Sequence, residues 1–320
     1  MNEYANLNRA GQIRRIRSEV MSTYRECGMA VRSCRILEHQ HNTTFRVELE
    51  TGELNFVRVS RIGDRPESMI LPEIEWIKAL SEDGLPVAKP MEWRTGSPWK
   101  VIDRPESGEG RIMTRFDWKF GKALAKPSCE QWRTIGRIMA ELHNHSEGKD
   151  FGKGRWDVDA AVGNTGTSEE ALRLAEECLG TESRQVLERV AQKYEEIRPV
   201  LGSVQLIHGD IHCWNILFDG QLPTVIDFDD CGFAPLIYDL CVPIRELRKE
   251  KLPGSENSLL EGYQSVRKLP ESFIDLLPLV LQLRAVQLIH FVVGERSNPG
   301  FAPWWEDWCR KEIAGLSVQA

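Results

Sequence analysis

The feature that most constrains this chain is a polar run in its second half that lies between two short apolar segments. Residues 208–215 read HGDIHCWN and follow the apolar segment 204–207. A second acidic run, DFDD at 227–230, follows the apolar segment 224–226. Short apolar runs bounded by polar loops predict buried strands. Since loops at strand ends present functional side chains from a rigid scaffold, the pattern predicts two functional loops.

Three residues of these loops have the types and the spacing that phosphoryl transfer requires. Asp210 can orient an attacking hydroxyl and accept its proton, and Asn215, five residues further on, can bind Mg²⁺ from the same loop. Asp227, twelve residues after Asn215, offers a second hard oxygen ligand. The alternative is that HGD forms a turn and DFDD a solvated acidic loop. Both halves at this spacing favour the catalytic interpretation.

A matching cation and carboxylate are expected in the first half of the chain. Arg58 lies in the segment 54–59, which the alternating pattern and the turn Thr51-Gly52 predict as the return strand of a hairpin. On the helix predicted over 68–83, Glu73 falls within the apolar arc and Glu75 lies on the opposite side. Because a buried carboxylate needs a partner, we predict that Glu73 pairs with Arg58. The alternative is a boundary position at which water solvates Glu73.

These residues occur in motifs that resemble the aminoglycoside phosphotransferase and choline kinase-like family, small relatives of the protein kinases. The motifs lie between residues 35 and 247 and read HGDIHCWN, VIDFDDCGFAPLIYDL, NFVRVSR, EIEWIKALSEDGLPVAKP and IGRIMAELH. The resemblance implies an α+β, bilobal protein-kinase-like fold. Its small β-rich N-lobe (residues 1–116) would bind the nucleotide, and its larger, mainly helical C-lobe (117–320) would carry the catalytic loop. ATP, or alternatively GTP, and Mg²⁺ would be the cofactors.

The resemblance also implies roles for individual residues. By position in the motifs, Asp210 corresponds to the catalytic base, and Asn215 and Asp227 correspond to the metal ligands. Arg58 corresponds to the cation that contacts the phosphates, with Glu73 as its partner. Arginine stands where many relatives carry lysine, which keeps the charge but presents a planar fork.

Four further residues receive supporting roles in the same way. Asp239 and His208 are expected to support the catalytic loop. The lobe connection is expected over residues 113–121, where Asp117 or Lys119 would offer backbone groups to the adenine. These assignments describe an enzyme that transfers the γ-phosphoryl group of ATP to a hydroxyl of an aminoglycoside-, choline- or other metabolite-like small molecule.

Three alternatives to this interpretation stay open. The sequence GD-x-H, with His208 and His212, also occurs in metallophosphoesterases, but the other His and Asp motifs of that mechanism are missing, which favours a structural role for His212. An atypical bacterial protein Ser/Thr kinase would share the fold. A non-catalytic nucleotide-binding module is the third alternative, and the retained base, ligands and cation weigh against it.

Composition and charge limit the location and the partners. The first ten residues are polar, and the apolar stretch 273–293 is interrupted by Asp275, Arg284 and His290, so we expect a cytoplasmic protein without a membrane span. The eight cysteines form no C-x-x-C pair and are expected to be reduced thiols. The net charge of −7 argues against a nucleic-acid partner. The sequence does not indicate the oligomeric state.

The acidic excess is not evenly distributed. Residues 1–117 contain 18 basic and 18 acidic side chains, so the whole net charge arises from residues 118–320. The long-range field there favours a cationic ligand or a metal-chelated anion. A solvated acidic surface is the alternative.

The helical regions are predicted from periodicity and capping. One amphipathic helix is expected over 8–27. Two capping boxes, Ser128 with Gln131 and Thr167 with Glu170, predict helix starts, and the second opens a helix-forming stretch that runs to Pro199. From about residue 243 the chain is predicted to be helical. It ends in the aromatic cluster of Trp304, Trp305 and Trp308.

Overall fold

A computed structural model describes residues 4, 7–62, 66–102, 110–152, 154–158, 166–252, 254–270, 272–298 and 300–319 of the chain. These residues divide into two compact units. Unit 1 comprises the described parts of Met1–Gly121 and Phe151–Gly154, together with Thr224–Ile226. Unit 2 comprises the described parts of Lys122–Asp150, Arg155–Pro223 and Asp227–Ala320. A domain boundary after residue 116 stays a prediction.

Unit 1 is built on a five-stranded antiparallel sheet with the strand order β1-β2-β3-β5-β4. Two helices accompany it. In chain order its elements are α1 (Arg9–Glu26), β1 (Val31–His39), β2 (Thr43–Leu49), β3 (Leu54–Val59), α2 (Glu67–Glu82), β4 (Trp99–Ile102) and β5 (Arg111–Asp117). The two helices predicted over 8–27 and 68–83 are present as α1 and α2, and the predicted hairpin is formed by β2 and β3.

The core of unit 1 follows from the alternation of apolar residues along its strands. Phe45 and Val47 of β2 are fully buried, and Phe45 faces Val57 of β3 in the strand register. Ile16 and Val20, on the apolar stripe of α1, belong to the same cluster of buried residues. This packing fixes β3, the strand that carries Arg58.

Unit 2 is mainly helical, with short strands that position the predicted site. Its elements are β6 (Lys122–Ala123), α3 (Cys129–Ser146), α4 (Gly166–Leu179), α5 (Thr181–Ile197), β7 (Val204–Ile207), β8 (Ile216–Asp219), β9 (Leu222–Val225), β10 (Gly232–Pro235), α6 (Leu236–Glu250), α7 (Ser255–Gln264), α8 (Phe273–Gly294) and α9 (Trp305–Gln319). β7 pairs with β10, and β8 lies between β6 and β9. The last residues of β9 belong to unit 1.

Close packing of α3 against α7 is made possible by a glycine in each helix. A Cβ atom on Gly136 would lie 1.9 Å from the carbonyl oxygen of Leu259, and one on Gly262 would lie 1.9 Å from that of Arg133. Side chains larger than hydrogen are therefore excluded at this crossing. The capping box of Ser128 and Gln131 is present at the start of α3, as predicted.

Three predicted boundaries are wrong. The helical stretch up to Pro199 is two helices, because Gly180 between them has a φ of 97°, a conformation that ends a helix. α6 begins at Leu236 and continues through Pro243 instead of beginning there. The strand predicted over 224–226 is β9, which begins and ends earlier. The side chain of Thr167, and with it the second capping box, lies outside the described residues.

α8 is the described helix whose length and composition would allow it to cross a membrane, with a mean hydropathy of 1.8 over its most apolar window. Of that window, 56% is buried inside the protein. The helix packs against α4, α5, α6 and α9. Its apolar character is therefore that of a core helix of unit 2.

Candidate active site

The run 208–215, called the catalytic loop below, connects β7 to β8 and carries Asp210. Asp210 Oδ1 accepts a 2.6 Å hydrogen bond from Nη2 of Arg284 on α8. Arg284 is 6% exposed, and its Nη1 donates to Gln287 Oε1 at 2.6 Å. Tyr238 also donates its hydroxyl to Gln287. A buried cation, itself held in place, thus fixes the orientation of the Asp210 carboxylate.

The environment of Asp210 keeps its carboxyl group ionised. Burial alone would raise the pKa of Asp210, but the hydrogen bond from His212 and the charge of Arg284 outweigh it, so the pKa lies below the ordinary value. The side chain is 22% exposed, which leaves part of the carboxylate accessible. An ionised, partly exposed carboxylate can accept a hydrogen bond from a hydroxyl group.

Asn215 and His212 complete the surroundings of this carboxylate. Asn215 Nδ2 donates to the Asp210 carbonyl oxygen at 2.9 Å and lies 3.3 Å from Oδ2. His212 Nδ1 accepts from the Trp214 N–H at 3.2 Å, which assigns the ring proton to Nε2, 3.2 Å from Asp210 Oδ2. The contacts of Asn215 use its amide nitrogen, and its amide oxygen is the atom type that binds a hard cation.

Asp239, on α6, is hydrogen-bonded to the backbone of the catalytic loop. Its Oδ1 accepts the Gly209 N–H at 2.8 Å, and its Oδ2 lies 2.9 Å from His143 Nε2. Tyr263 Oη lies 2.9 Å from His143 Nδ1. Burial raises the pKa of Asp239, but the hydrogen bond and charge of His143 lower it further, with a net value below the ordinary one. An ionised buried carboxylate therefore ties the loop to α3 and α7.

His208 contacts the backbone of the same loop from its first position. It is fully buried, and its Nδ1 accepts the Asp210 N–H at 3.3 Å. Its ring lies 4.5 Å from that of Phe228, centroid to centroid. The side chain therefore connects the backbone of Asp210 to Phe228, which directly follows Asp227.

Asp227 begins this acidic loop (residues 227–231) at the end of β9. β8 and β9 are neighbours in one sheet and are joined by a two-residue turn, so the start of β8, next to Asn215, and the end of β9, next to Asp227, lie at the same end of a hairpin. Asp227 is exposed, and its backbone is in the left-handed conformation, with φ 64° and ψ 62°. The strand pairing thus brings the two predicted metal ligands to one edge.

Arg58 and Glu73 form a buried ion pair within unit 1, which confirms the pairing predicted from the helix face. Arg58 Nη2 lies 2.8 Å and 2.9 Å from the two oxygens of Glu73, and both side chains are buried. Glu75 is exposed on the other side of α2. The part that the pair plays in binding phosphates stays a prediction.

We expect Glu73→Gln to lower the free energy of unfolding by about 3 to 5 kcal/mol, because it leaves the buried Arg58 without its counter-charge. Glu75→Gln is the matched control and should change that free energy by less than about 0.5 kcal/mol. Urea unfolding of both variants measures the difference. Restored stability in the double variant Arg58→Met, Glu73→Leu would agree with this account. Equal losses of stability in Glu73→Gln and Glu75→Gln would contradict it.

Asp117 and Lys119 pair with each other, Lys119 Nζ lying 2.9 Å from Asp117 Oδ2. The Asp117 N–H donates to the Lys89 carbonyl at 2.9 Å, and Asp117 Oδ1 accepts the Lys89 N–H at 2.6 Å. The Asp117 N–H is therefore engaged within unit 1. Contacts of the Asp117 carbonyl or of Lys119 with an adenine stay predictions.

Two residues of the site were not found by sequence reasoning. Arg284 interrupts an apolar stretch, and a charged residue at such a place is the signal of a buried partner, but it does not show which residue that partner is. His143 lies in the motif IGRIMAELH, but that motif alone does not connect it to Asp239, 96 residues away. Both act through contacts that are distant in sequence.

Comparison of the sequence with known proteins finds a matching family. Residues 33–272 match the model of the phosphotransferase enzyme family. Among curated proteins, the homoserine kinase of Agrobacterium fabrum is 31% identical over 178 residues, which are 53% of this chain and 54% of that relative. The chain therefore spans about half the length of this relative.

Solved structures extend the likeness over nearly the whole chain. A microcompartment-associated aminopropanol kinase has a TM-score of 0.73 at 26% identity and covers 89% of this chain and 91% of its own. The amicoumacin kinase hAmiN, solved with AMP-PNP, Ca²⁺ and Ami, has a TM-score of 0.77 at 18% identity, with 95% and 96% coverage. These similarities confirm the predicted α+β, kinase-like fold class and the family resemblance found in the motifs.

Proposed function

We propose that this chain, which belongs to the phosphotransferase enzyme family, transfers the γ-phosphoryl group of ATP to a hydroxyl group of a small molecule. The observation that carries the proposal is the Asp210 carboxylate, which His212 and Arg284 keep ionised and Arg284 fixes in orientation, with Asn215 hydrogen-bonded to its backbone carbonyl. Phosphoryl transfer needs such a carboxylate and metal-binding oxygens more than it needs covalent chemistry from the protein.

In this proposal Asp210 accepts a hydrogen bond from the acceptor hydroxyl and orients its oxygen toward the γ-phosphorus. The proton passes to the carboxylate as the new O–P bond forms, and ADP leaves with the electrons of the broken bond. The lowered pKa of Asp210 suits this order, because the carboxylate is ionised when the hydroxyl arrives. Arg284 stays in contact with Oδ1 and fixes the direction of the other oxygen.

The donor set at the end of the β8–β9 hairpin fits Mg²⁺. Asn215 and Asp227 offer one amide oxygen and one carboxylate, both hard ligands. The described residues contain no group of three His, Cys, Asp or Glu side chains suited to a metal ion. That agrees with a cation that takes one or two protein ligands and completes its shell with water and nucleotide phosphates. When bound, the cation would neutralise charge on those phosphates.

Asp227→Ala is expected to abolish the thermal stabilisation that ATP and Mg²⁺ give together, because it removes the only carboxylate of the proposed ligand pair. Asp219→Ala is the matched control, since Asp219 is exposed at the opposite end of the same hairpin. Differential scanning fluorimetry with ATP and Mg²⁺ compares the two. A full melting shift in Asp227→Ala would show that its carboxylate is not a ligand.

We further propose that the acceptor carries an amine besides its hydroxyl. Homoserine and aminopropanol, named in two of the relatives, both combine these groups. The acidic excess of residues 118–320 favours a cationic acceptor. An ATP-consumption screen over amino alcohols, neutral alcohols and antibiotics tests this class, with casein as the protein competitor. Turnover confined to casein would replace the proposal with a protein kinase. Turnover with neutral alcohols alone would show that the acceptor carries no amine.

The cytoplasm is the proposed location, without a membrane or nucleic-acid partner. The packing of α8 inside unit 2 supports this, since an apolar helix engaged with four neighbours needs no lipid. The net charge of −7 supports the absence of a nucleic-acid partner.

A further inference from the structure

Residues 155–157, a short segment of unit 2, lie beside β10 and contact the acidic loop. The Phe233 N–H donates to the Trp156 carbonyl at 2.9 Å, and Asp157 forms a parallel bridge with Phe233. The segment therefore extends the β7–β10 sheet by one short strand-like stretch. Its two side chains Arg155 and Trp156 are placed against residues 229–231.

Three consecutive carbonyl groups of the acidic loop accept hydrogen bonds from these two side chains. Arg155 Nη2 donates to the Asp229 carbonyl, and Arg155 Nε donates to the Cys231 carbonyl at 2.6 Å. Trp156 Nε1 donates to the Asp230 carbonyl, between them, at 2.8 Å. Arg155 is 7% exposed, so these charge-assisted bonds form in a buried environment where they are strongest.

The backbone that these bonds restrain begins at an unfavourable conformation. Asp227 has a φ of 64°, in the left-handed region that is uncommon for residues with a Cβ, among which aspartate and asparagine occupy it most often. The turn that follows is closed by the Cys231 N–H, which donates to the Phe228 carbonyl at 2.9 Å. The three carbonyls belong to residues 229–231, which form this turn, so fixing them opposes relaxation of the turn next to the left-handed Asp227.

The Trp156 ring also packs against the catalytic loop. A Cβ on Gly232 would lie 2.3 Å from Trp156 Cε2, and one on Gly209 would lie 3.2 Å from Trp156 Cζ2 and 2.3 Å from the Asp230 carbonyl oxygen. Gly209 directly precedes Asp210. One side chain thus contacts both the loop of the proposed base and the loop of the proposed metal ligand.

We propose that Arg155 and Trp156 are positioning residues that hold Asp227 in its metal-binding conformation and keep the acidic loop in register with the catalytic loop. The inference rests on the proposed function, because it gives the conformation of Asp227 a purpose in binding Mg²⁺ with the nucleotide. Neither residue belongs to the ligand set itself. Their effect is transmitted through the backbone of residues 229–231.

The first experiment measures the restraint in the protein without metal or nucleotide. Hydrogen exchange of the Cys231 amide should be at least about tenfold faster in Trp156→Phe and in Arg155→Lys than in the unchanged chain, because the closing turn opens more often. Trp132→Phe is the matched control: Trp132 is a buried tryptophan on α3 whose Nε1 makes no hydrogen bond within the described part of the chain. Unchanged exchange in both test variants would overturn the inference.

The second experiment measures metal binding without turnover, by calorimetric titration of Mg²⁺ into protein with AMP-PNP. Loss of groups that support a metal ligand typically weakens metal affinity by about 10- to 100-fold. We expect about tenfold weaker Mg²⁺ binding in Trp156→Phe and no change in Trp132→Phe. If the unchanged chain binds Mg²⁺ and both tryptophan variants match it, the positioning role is wrong and the proposed function stands. If the unchanged chain binds no Mg²⁺, the proposed function fails, and the metal role of the two residues fails with it.

Discussion

Asp210→Asn is expected to reduce turnover by about 10²- to 10⁴-fold, the range that a positioned general base contributes. Asparagine has nearly the same shape as aspartate, but its amide cannot take up the hydroxyl proton at neutral pH. Nucleotide binding should stay within about twofold, because Asp210 is not part of the proposed ligand pair. Turnover is measured with the acceptor that the screen identifies, and nucleotide affinity by titration with AMP-PNP.

The same substitution also tests the ion pair. Neutral asparagine leaves the buried Arg284 without a counter-charge, so the variant should unfold at a lower temperature while its nucleotide affinity is kept. Asp219→Asn, at an exposed position of the β8–β9 hairpin, is the control and should change neither turnover nor stability. Near-native turnover of Asp210→Asn would end the proposed mechanism, whatever its stability.

The parts of the structure that sequence predicted well are those that depend on local periodicity. The β2–β3 hairpin follows from alternating apolar residues and the turn at Gly52. The inward position of Glu73 follows from 100° per residue on a helix. The Arg58–Glu73 pair could be predicted because a buried carboxylate needs a partner and the preceding strand supplies a cation. In each case the information lies within about 15 residues along the chain.

The parts that were missed depend on tertiary contacts. Asp210 and Arg284 are 74 residues apart, and Asp239 and His143 are 96 residues apart. Nothing in local periodicity states which helices will meet. The helix break at Gly180 was missed for a different reason: glycine lowers helix propensity without stopping a helix, and only its left-handed φ ends the helix here.

Arg284 shows what a buried charge in an apolar helix can indicate. Desolvation is costly for a buried guanidinium, so its retention on the core helix α8 needs a compensating partner. The structure supplies Asp210 at 2.6 Å, with Gln287 as the second acceptor. Burial lowers and the charge of Asp210 raises the pKa of Arg284, with a net rise above the ordinary value, so it stays charged. The cation is thus a permanent feature of the proposed base's environment.

Arg284→Met is therefore expected to have two effects, one on stability and one on the pH dependence of turnover. Removing one partner of a buried pair lowers the free energy of unfolding by about 3 to 5 kcal/mol, and the 22% exposure of Asp210 favours the lower end. Because the folded-state pKa of Asp210 lies below its ordinary value, the pair stabilises the protein above the ordinary carboxyl pKa and loses that effect as the pH falls through the lowered one. The difference in the free energy of unfolding between the unchanged chain and Arg284→Met should consequently become smaller in acid.

Arg284→Met should also change the pH dependence of turnover, which a simple loss of stability would not do. Without the cation the pKa of Asp210 rises toward its ordinary value or above, since burial is then less opposed. The base must be ionised to act, so the acid limb of the turnover profile should move to higher pH. Arg284→Lys keeps the charge and should shift the limb less, which separates electrostatics from packing. An acid limb at the same pH in all three proteins would show that Arg284 does not tune the proposed base, because a structural defect lowers turnover at every pH and leaves the limb in place.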